Sequence, residues 1–289
     1  MSGLALGLVL TSAFLHATWN LAAKKVGGGL AFVFLLNLCS NFIYAPVALA
    51  VFFTQDAHIP KEGIVFIVGN AIVHIFYFLL LSYGYRIGDL SLVYPLARGT
   101  GPMFSTLVAV ILLGERPTPL AIIGIVAIGI GVVIFSGGLR IFRSKDSHGA
   151  VTFALLTGLI ISAYTIWDKI AVGVLDIHPL LYDWSGGMVR SGLLIMVINF
   201  SSISWADVKK EWQLHYQEAL IVGILSPLAY ILVLAALTFS PVSYIAPARE
   251  ISILIGAVMG ARLLAEGEVP RRLFAASVMV CGLVALALG

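Results

Sequence analysis

The sequence predicts an all-α integral membrane protein of ten transmembrane helices, built as a five-plus-five inverted repeat. Three observations predict it. Of 289 residues, 60% are apolar and 11% are charged, whereas soluble globular domains carry charge at about 25% of positions. The mean hydropathy of +1.05 describes the whole chain, leaving no polar half to fold as a soluble domain. The apolar residues also fall into ten runs, each close to the roughly 20 residues a helix needs to cross a hydrocarbon core. An attached ATPase, receptor or nucleic-acid module is excluded by that arithmetic.

The runs are bounded by charge or by Gly/Pro punctuation. The first, 4–23, stops at Lys24 and Lys25. No Lys or Arg precedes Lys24, so a secretory leader with a basic start is not expected and the run is read as mature structure. Runs 30–53, 64–85, 90–113 and 120–135 complete a first repeat, 1–138. A polar linker, 139–149, follows with Arg140, Arg143, Lys145, Asp146 and His148, the densest charge in the chain. The second repeat, 150–289, holds runs 151–174, 180–200, 219–239, 242–264 and 273–288. Cys39 and Cys281 both lie inside apolar runs and are read as small packing residues, not a disulfide or a metal site.

The two halves share more than composition. A shift of 151 positions places Ala97-Arg98 on Ala248-Arg249, Glu115 on Glu266, Pro119 on Pro270 and Gly131 on Gly282. A shift of 148 places Trp19-Asn20 on Trp167-Asp168. Chance agreement between Leu/Gly-rich stretches would not pair Arg, Glu, Pro and Trp, so internal duplication is expected. With five spans per half, the second half enters the bilayer from the opposite side, giving inverted repeats of the kind that rock around a midplane site in many secondary carriers.

Trp19-Asn20 in span one, Tyr94-Pro95-Leu96-Ala97-Arg98 in span four and Leu113-Gly114-Glu115-Arg116 before span five together resemble the EamA-type drug/metabolite transporter superfamily. The resemblance covers the whole chain. It implies a ten-span carrier of the bacterial inner membrane, many of whose relatives export amino acids or other small metabolites without ATP. The chain departs from the small multidrug relatives, because its first span has no acid.

Lys and Arg concentrate in the connections after odd-numbered spans, including Lys24, Arg86, Arg140, Lys209 and Arg271. The positive-inside rule then places both termini outside the cytoplasm.

Polar groups inside the spans mark candidate binding residues, because an ionisable group at that depth needs a partner or a cavity. His16, Trp19 and Asn20 share one face of span one, and His74, Tyr77 and Phe78 one face of span three, with Asn70 beside them. In span four, Tyr94 lies a turn before Arg98, and Pro95, Gly99, Gly101 and Pro102 make a helix break there an expectation. Arg98 either offers its guanidinium fork to a carboxylate or phosphonate or pairs structurally with Glu250. Arg249 and Glu250 occupy the equivalent part of span nine, and Tyr164, Trp167, Ser226 and Tyr230 complete the candidate ring. For Trp19 and Trp167 an interfacial aromatic belt is the alternative. Asp168 and Lys169 are expected as interfacial charges, and Trp184, Arg190, Trp205 and Trp212 as boundary anchors and loop residues.

These residues predict a secondary carrier, not an enzyme, for a small zwitterionic or anionic metabolite. An amino acid suits them, with arginine for the carboxylate and Tyr, Trp, His and Asn for the rest; the outward direction is implied by the resemblance alone. An organophosphonate or another small organic anion would suit the same arginine. An intramembrane lipid-modifying enzyme, with His74 as base, is the reading from another class. The expected partners are the small-molecule substrate and the lipid bilayer, with the protein a monomer or a homodimer. No catalytic residue, cofactor, metal or nucleic acid is expected, since no Walker, His-Glu-x-x-His or Gly-x-Ser-x-Gly motif occurs.

Overall fold

The computed structural model describes residues 1–26, 29–54, 59–87, 90–136, 148–201, 203–261 and 269–289. The polar linker expected at 139–149 therefore lies outside the described residues, apart from its last two positions. The described residues form eleven helices: α1 (Gly3–Val26), α2 (Leu30–Thr54), α3 (Lys61–Ile87), α4 (Leu90–Leu112), α5 (Pro119–Ser136), α6 (His148–Gly173), α7 (Pro179–Phe200), α8 (Trp205–Phe239), α9 (Val242–Ala248), α10 (Ile251–Ala261) and α11 (Val269–Leu288). Five of them are long and apolar enough to cross a membrane, and three shorter helical segments are apolar throughout.

Polarity is distributed inside out relative to a soluble protein. Large apolar side chains such as Phe42, Phe53 and Phe200 stand outward, 73%, 74% and 89% exposed, while Asn70, Arg98, Asp168, Asp183 and Glu250 are buried. Lipid accepts the first set without cost. The second set must find partners inside the bundle.

Small residues decide how closely the helices approach. Along α5 and α11, a Cβ on Gly124 would meet the Gly282 carbonyl at 2.6 Å, and one on Gly131 would meet the Ala275 carbonyl at 3.1 Å. Contacts that rise along one helix fall along the other, so the pair is antiparallel, with backbones as near as the small-residue rule allows. In α4, Gly99 faces Val132 of α5 and Gly101 faces Ile161 of α6, with Cβ separations of 2.7 and 2.6 Å.

That packing corrects an expectation. The glycines of span four admit neighbouring helices and do not break α4, which runs unbroken from Leu90 to Leu112. The break falls in span nine instead, where α9 stops at Ala248 and α10 resumes at Ile251. Pro247 has no N–H to give the preceding turn. The intervening Arg249-Glu250 turn holds itself by short-range bonds, Glu250 N–H to the Pro247 carbonyl at 3.1 Å and Ile253 N–H to the Glu250 carbonyl at 3.0 Å.

Two further features follow from local chemistry. Gly114 takes φ +66°, a left-handed conformation that suits glycine, and ends α4 with Glu115 N–H bonded back to the Ala109 carbonyl at 3.3 Å. The reversal aims the Glu115 carboxylate at the start of α9, where it accepts from Val242 N–H at 2.7 Å and Ser243 N–H at 2.9 Å. Span eight is longer than the apolar run 219–239 suggests. α8 begins at Trp205 behind a Ser204/Asp207 capping box and kinks at His215, so Trp205 and Trp212 stand on a helical turn and not on a loop.

Candidate functional site

A cavity of about 330 Å³ opens inside the bundle between α1, α2, α3, α7 and α8, with the α9–α10 junction at its wall. Its surface is mostly apolar and aromatic with a few polar groups, the usual make-up of a small-molecule site.

From α1, His16 and Trp19 reach the cavity, their rings edge-on with centroids 4.8 Å apart. The Trp19 indole N–H is buried without a hydrogen-bond partner among the described residues. From α3 come His74, Tyr77 and Phe78, and from α6 Tyr164. The His74 ring stacks on Tyr164 at 4.8 Å, and its Nδ1 lies 2.9 Å from the Asn70 carbonyl. Ser226 and Tyr230, one turn apart on α8, close that side.

Among the described residues, three arginines line the cavity, and they are not equivalent. Arg98 is committed to Glu250, Nε to Oε2 at 3.2 Å, with both side chains about 5% exposed or less, and also faces Ser252 at 3.4 Å. Arg190 donates to Asp183 at 3.1 Å and to the Asn70 side-chain carbonyl at 2.9 Å. Arg249, on the turn between α9 and α10, lines the cavity with no hydrogen bond or ion pair from its guanidinium among the described residues. Of the two roles open to Arg98, the geometry realises the pairing one. Glu250 itself lies behind the cavity wall, facing α4 and α5.

Asp168 is where expectation fails most clearly. Instead of sitting at an interface it is 1% exposed, and its carboxylate accepts from the Asn70 amide at 2.8 Å, from Tyr182 at 3.0 Å and from Tyr230. Neighbouring Lys169 turns the other way and donates to the Leu237 and Ser240 carbonyls at 2.6 and 3.0 Å, closing the end of α8. The Asp168-Lys169 pair near the end of α6 looks interfacial in one dimension. Only the neighbours on α3, α7 and α8 bury its first member.

Ten of the expected residues meet at the cavity: His16, Trp19, His74, Tyr77, Phe78, Arg98, Tyr164, Ser226, Tyr230 and Arg249. Asn20 turns back onto its own helix, donating to the His16 carbonyl at 2.7 Å. Trp167 lies flat against α3, its N–H on the Phe66 carbonyl at 2.8 Å, filling the space left by Gly69. This is a helix–helix contact, not a belt. The side chain of Tyr94 lies outside the described residues.

Sequence reasoning missed the polar edge formed by Asn37, Ser40, Asn41 and Tyr44 on α2 with Asp183, Trp184 and Arg190 on α7. Trp184 and Arg190 are cavity residues, not boundary anchors. A signal existed: 37, 41 and 44 on one helix, and 183, 187, 190 and 194 on the other, follow the three-to-four residue spacing of a single face.

Residues 3–137 match the model of the EamA-like transporter family. No curated protein matches. Among the solved structures, a crystal structure of a protein 16% identical to this chain superposes with a TM-score of 0.80, covering 100% of this chain and 98% of that one. At that identity the likeness shows the fold.

Proposed function

Residues 3–137 match the model of the EamA-like transporter family, and we propose that the chain is a membrane transporter of small molecules that carries anionic or zwitterionic metabolites, amino acids first among them. The single observation that carries this reading is Arg249. It is a cavity arginine whose guanidinium makes no hydrogen bond or ion pair among the described residues, whereas Arg98 and Arg190 are spent on Glu250 and Asp183. A guanidinium left open at a cavity wall suits a bidentate carboxylate. The free Trp19 indole N–H adds a second donor, and the aromatic faces of Tyr77, Tyr164 and Phe78 suit an apolar or aromatic side chain. A phosphonate fits the same guanidinium and remains the second reading within transport.

The packing supports ten spans in two inverted halves, with α9 and α10 forming one broken span. Exchanging α1 with α6, α2 with α7, α3 with α8, α4 with α9–α10 and α5 with α11 maps the observed contacts onto one another: α1 packs on α8 as α6 packs on α3, and α2 on α8 as α7 on α3. The antiparallel Gly124–Gly282 and Gly131–Ala275 contacts exchange under the same operation, as a two-fold axis in the membrane plane requires. Halves so related can alternate access to the cavity by rocking, and an inner-membrane location and outward transport follow from the family resemblance.

Counterflow of labelled amino acids in proteoliposomes tests the proposal, with Arg249→Lys as the discriminating variant. Lys keeps the charge and loses the planar fork. Losing one charge-assisted hydrogen bond costs about 1.5–3 kcal/mol, which is about ten- to over a hundred-fold in affinity. Unchanged affinity in Arg249→Lys would remove the carboxylate anchor. An absence of counterflow with any amino acid, alongside exchange of phosphonates, would shift the reading to the second substrate class.

A further inference from the structure

Among the described residues, three carboxylates are buried, and they differ in what faces them. Glu250 has the Arg98 guanidinium at 3.2 Å and Asp183 has that of Arg190 at 3.1 Å. Asp168 has only neutral donors: the Asn70 amide, the Tyr182 hydroxyl and the Tyr230 hydroxyl. No cation contacts it among the described residues. Taking up a proton therefore breaks an ion pair at Glu250 or Asp183 but none at Asp168.

The groups around Asp168 also connect it to the cavity. Tyr230, on α8, both lines the cavity and donates to Asp168. Asn70, on α3, gives its amide N–H to Asp168 and to the Tyr230 hydroxyl at 3.1 Å, and accepts from Arg190 of α7 on its carbonyl. His74, a turn along α3, sits edge-on to Tyr230 at 5.7 Å. The remaining charges are turned elsewhere: Lys169 to the end of α8, and Arg98 of α4 to Glu250. Arg249 acts on Asp168 through space from the α9–α10 junction, without contact.

We propose that Asp168 is a proton-binding site of the transport cycle, whose protonation releases the Tyr230 hydroxyl toward the cavity and loosens the Asn70–Arg190 tie between α3 and α7. Ionised, the carboxylate offers only acceptor oxygens, and its three donors hold α3, α7 and α8 against α6. Protonated, it carries an O–H of its own, so one hydroxyl must give up its bond or turn its lone pair inward. The proton enters from the cavity past Tyr230 and leaves by the same route when the cavity faces the other side. In this arrangement the three groups on the carboxylate act as donors, so a sodium ion would have to turn several of them away to gain oxygen ligands, whereas a proton requires only one to turn. The inference rests on the carrier reading above and adds the coupling ion to it.

Infrared difference spectra of the purified protein in lipid nanodiscs test the site without any substrate, so their outcome is separate from the question of what is carried. Acidification is expected to produce a protonated-carboxyl band in the native protein that is absent from Asp168→Asn and kept in Asp183→Asn and Glu250→Gln. A native protein without a titrating carboxyl band, or a band that persists in Asp168→Asn, would overturn the proposal. Should Asp168→Asn not fold, Tyr230→Phe removes one donor and is expected to shift that band; an unmoved band would count equally against it. Displacement of the band by sodium but not potassium would make the site a metal-cation site and overturn it too. In proteoliposomes that show counterflow, a one-unit pH gradient is expected to drive native accumulation up to about tenfold for one proton per substrate. Asp168→Asn is expected to exchange substrate but not accumulate it. Native exchange that ignores the gradient would refute the coupling.

Discussion

Neutralising Arg98 and Glu250 singly and together separates a structural ion pair from a binding arginine. Their charged atoms stand 3.2 Å apart with almost no exposure. At an effective dielectric constant of about 20, Coulomb attraction at that distance is about 5 kcal/mol before desolvation. Removing one partner leaves the other buried without its counter-charge, and a loss of about 3–5 kcal/mol is expected for Arg98→Met or for Glu250→Gln. The double variant takes both charges out of a lipid-surrounded core and is expected to be far less destabilised than the sum of the two. The coupling in the cycle is then about 3 kcal/mol or more. Denaturant-titrated unfolding in mixed micelles, followed by tryptophan fluorescence, measures it. Because the carboxylate anchor is assigned to Arg249, the double variant is also expected to keep native substrate affinity. Additivity of the two single losses within about 0.5 kcal/mol would refute the ion pair, and lost affinity in the stable double variant would return the anchor to Arg98.

Gly282→Ala places a Cβ 2.8 Å from the Gly124 carbonyl and 2.9 Å from the Ile128 nitrogen; it is expected to force α5 and α11 apart and cost about 1–3 kcal/mol, whereas Gly7→Ala, with nothing within 4 Å, is expected to be neutral or stabilising by up to about 1 kcal/mol. Glu115→Ala removes both acceptors from the start of α9, and hydrogen exchange is expected to accelerate at Val242 and Ser243 but not along α11. His178, in the connection before α7, accepts from Leu180 N–H on Nδ1 at 3.3 Å, and burial holds its imidazole below the usual histidine range. A depressed histidine value means that the cap is intact above the unfolded-state value and is lost as pH falls through the folded one. Exchange at the first turn of α7 is therefore expected to rise on acidification in the native protein and to lose that pH dependence in His178→Asn; persistence of the dependence would place its cause elsewhere.

The sequence by itself determined that the chain is helical and membrane-embedded, because both follow from one-dimensional quantities. An apolar run of about 20 residues can satisfy its backbone in lipid only as a helix or in a closed barrel, and charge or Gly/Pro at each end sets where it stops. The cavity faces of α1, α3 and α8 were legible for the same reason, since His16 with Trp19, His74 with Tyr77, and Ser226 with Tyr230 share helical spacing. What the tertiary structure decided was the assignment of partners. Arg98 and Arg249 are alike in sequence, both following an alanine in an apolar run, yet one is neutralised by Glu250 and the other is open to the cavity. Pro95, Gly99 and Pro102 read as a break in span four, but the break belongs to span nine, while α4 runs uninterrupted with its glycines packed closely against Val132 and Ile161. Asp168 looked like a boundary charge, and only the convergence of Asn70, Tyr182 and Tyr230 from three other helices makes it the buried node of the bundle. Local spacing specifies which face of a helix a residue occupies. What that face meets is settled by long-range packing that no single helix encodes.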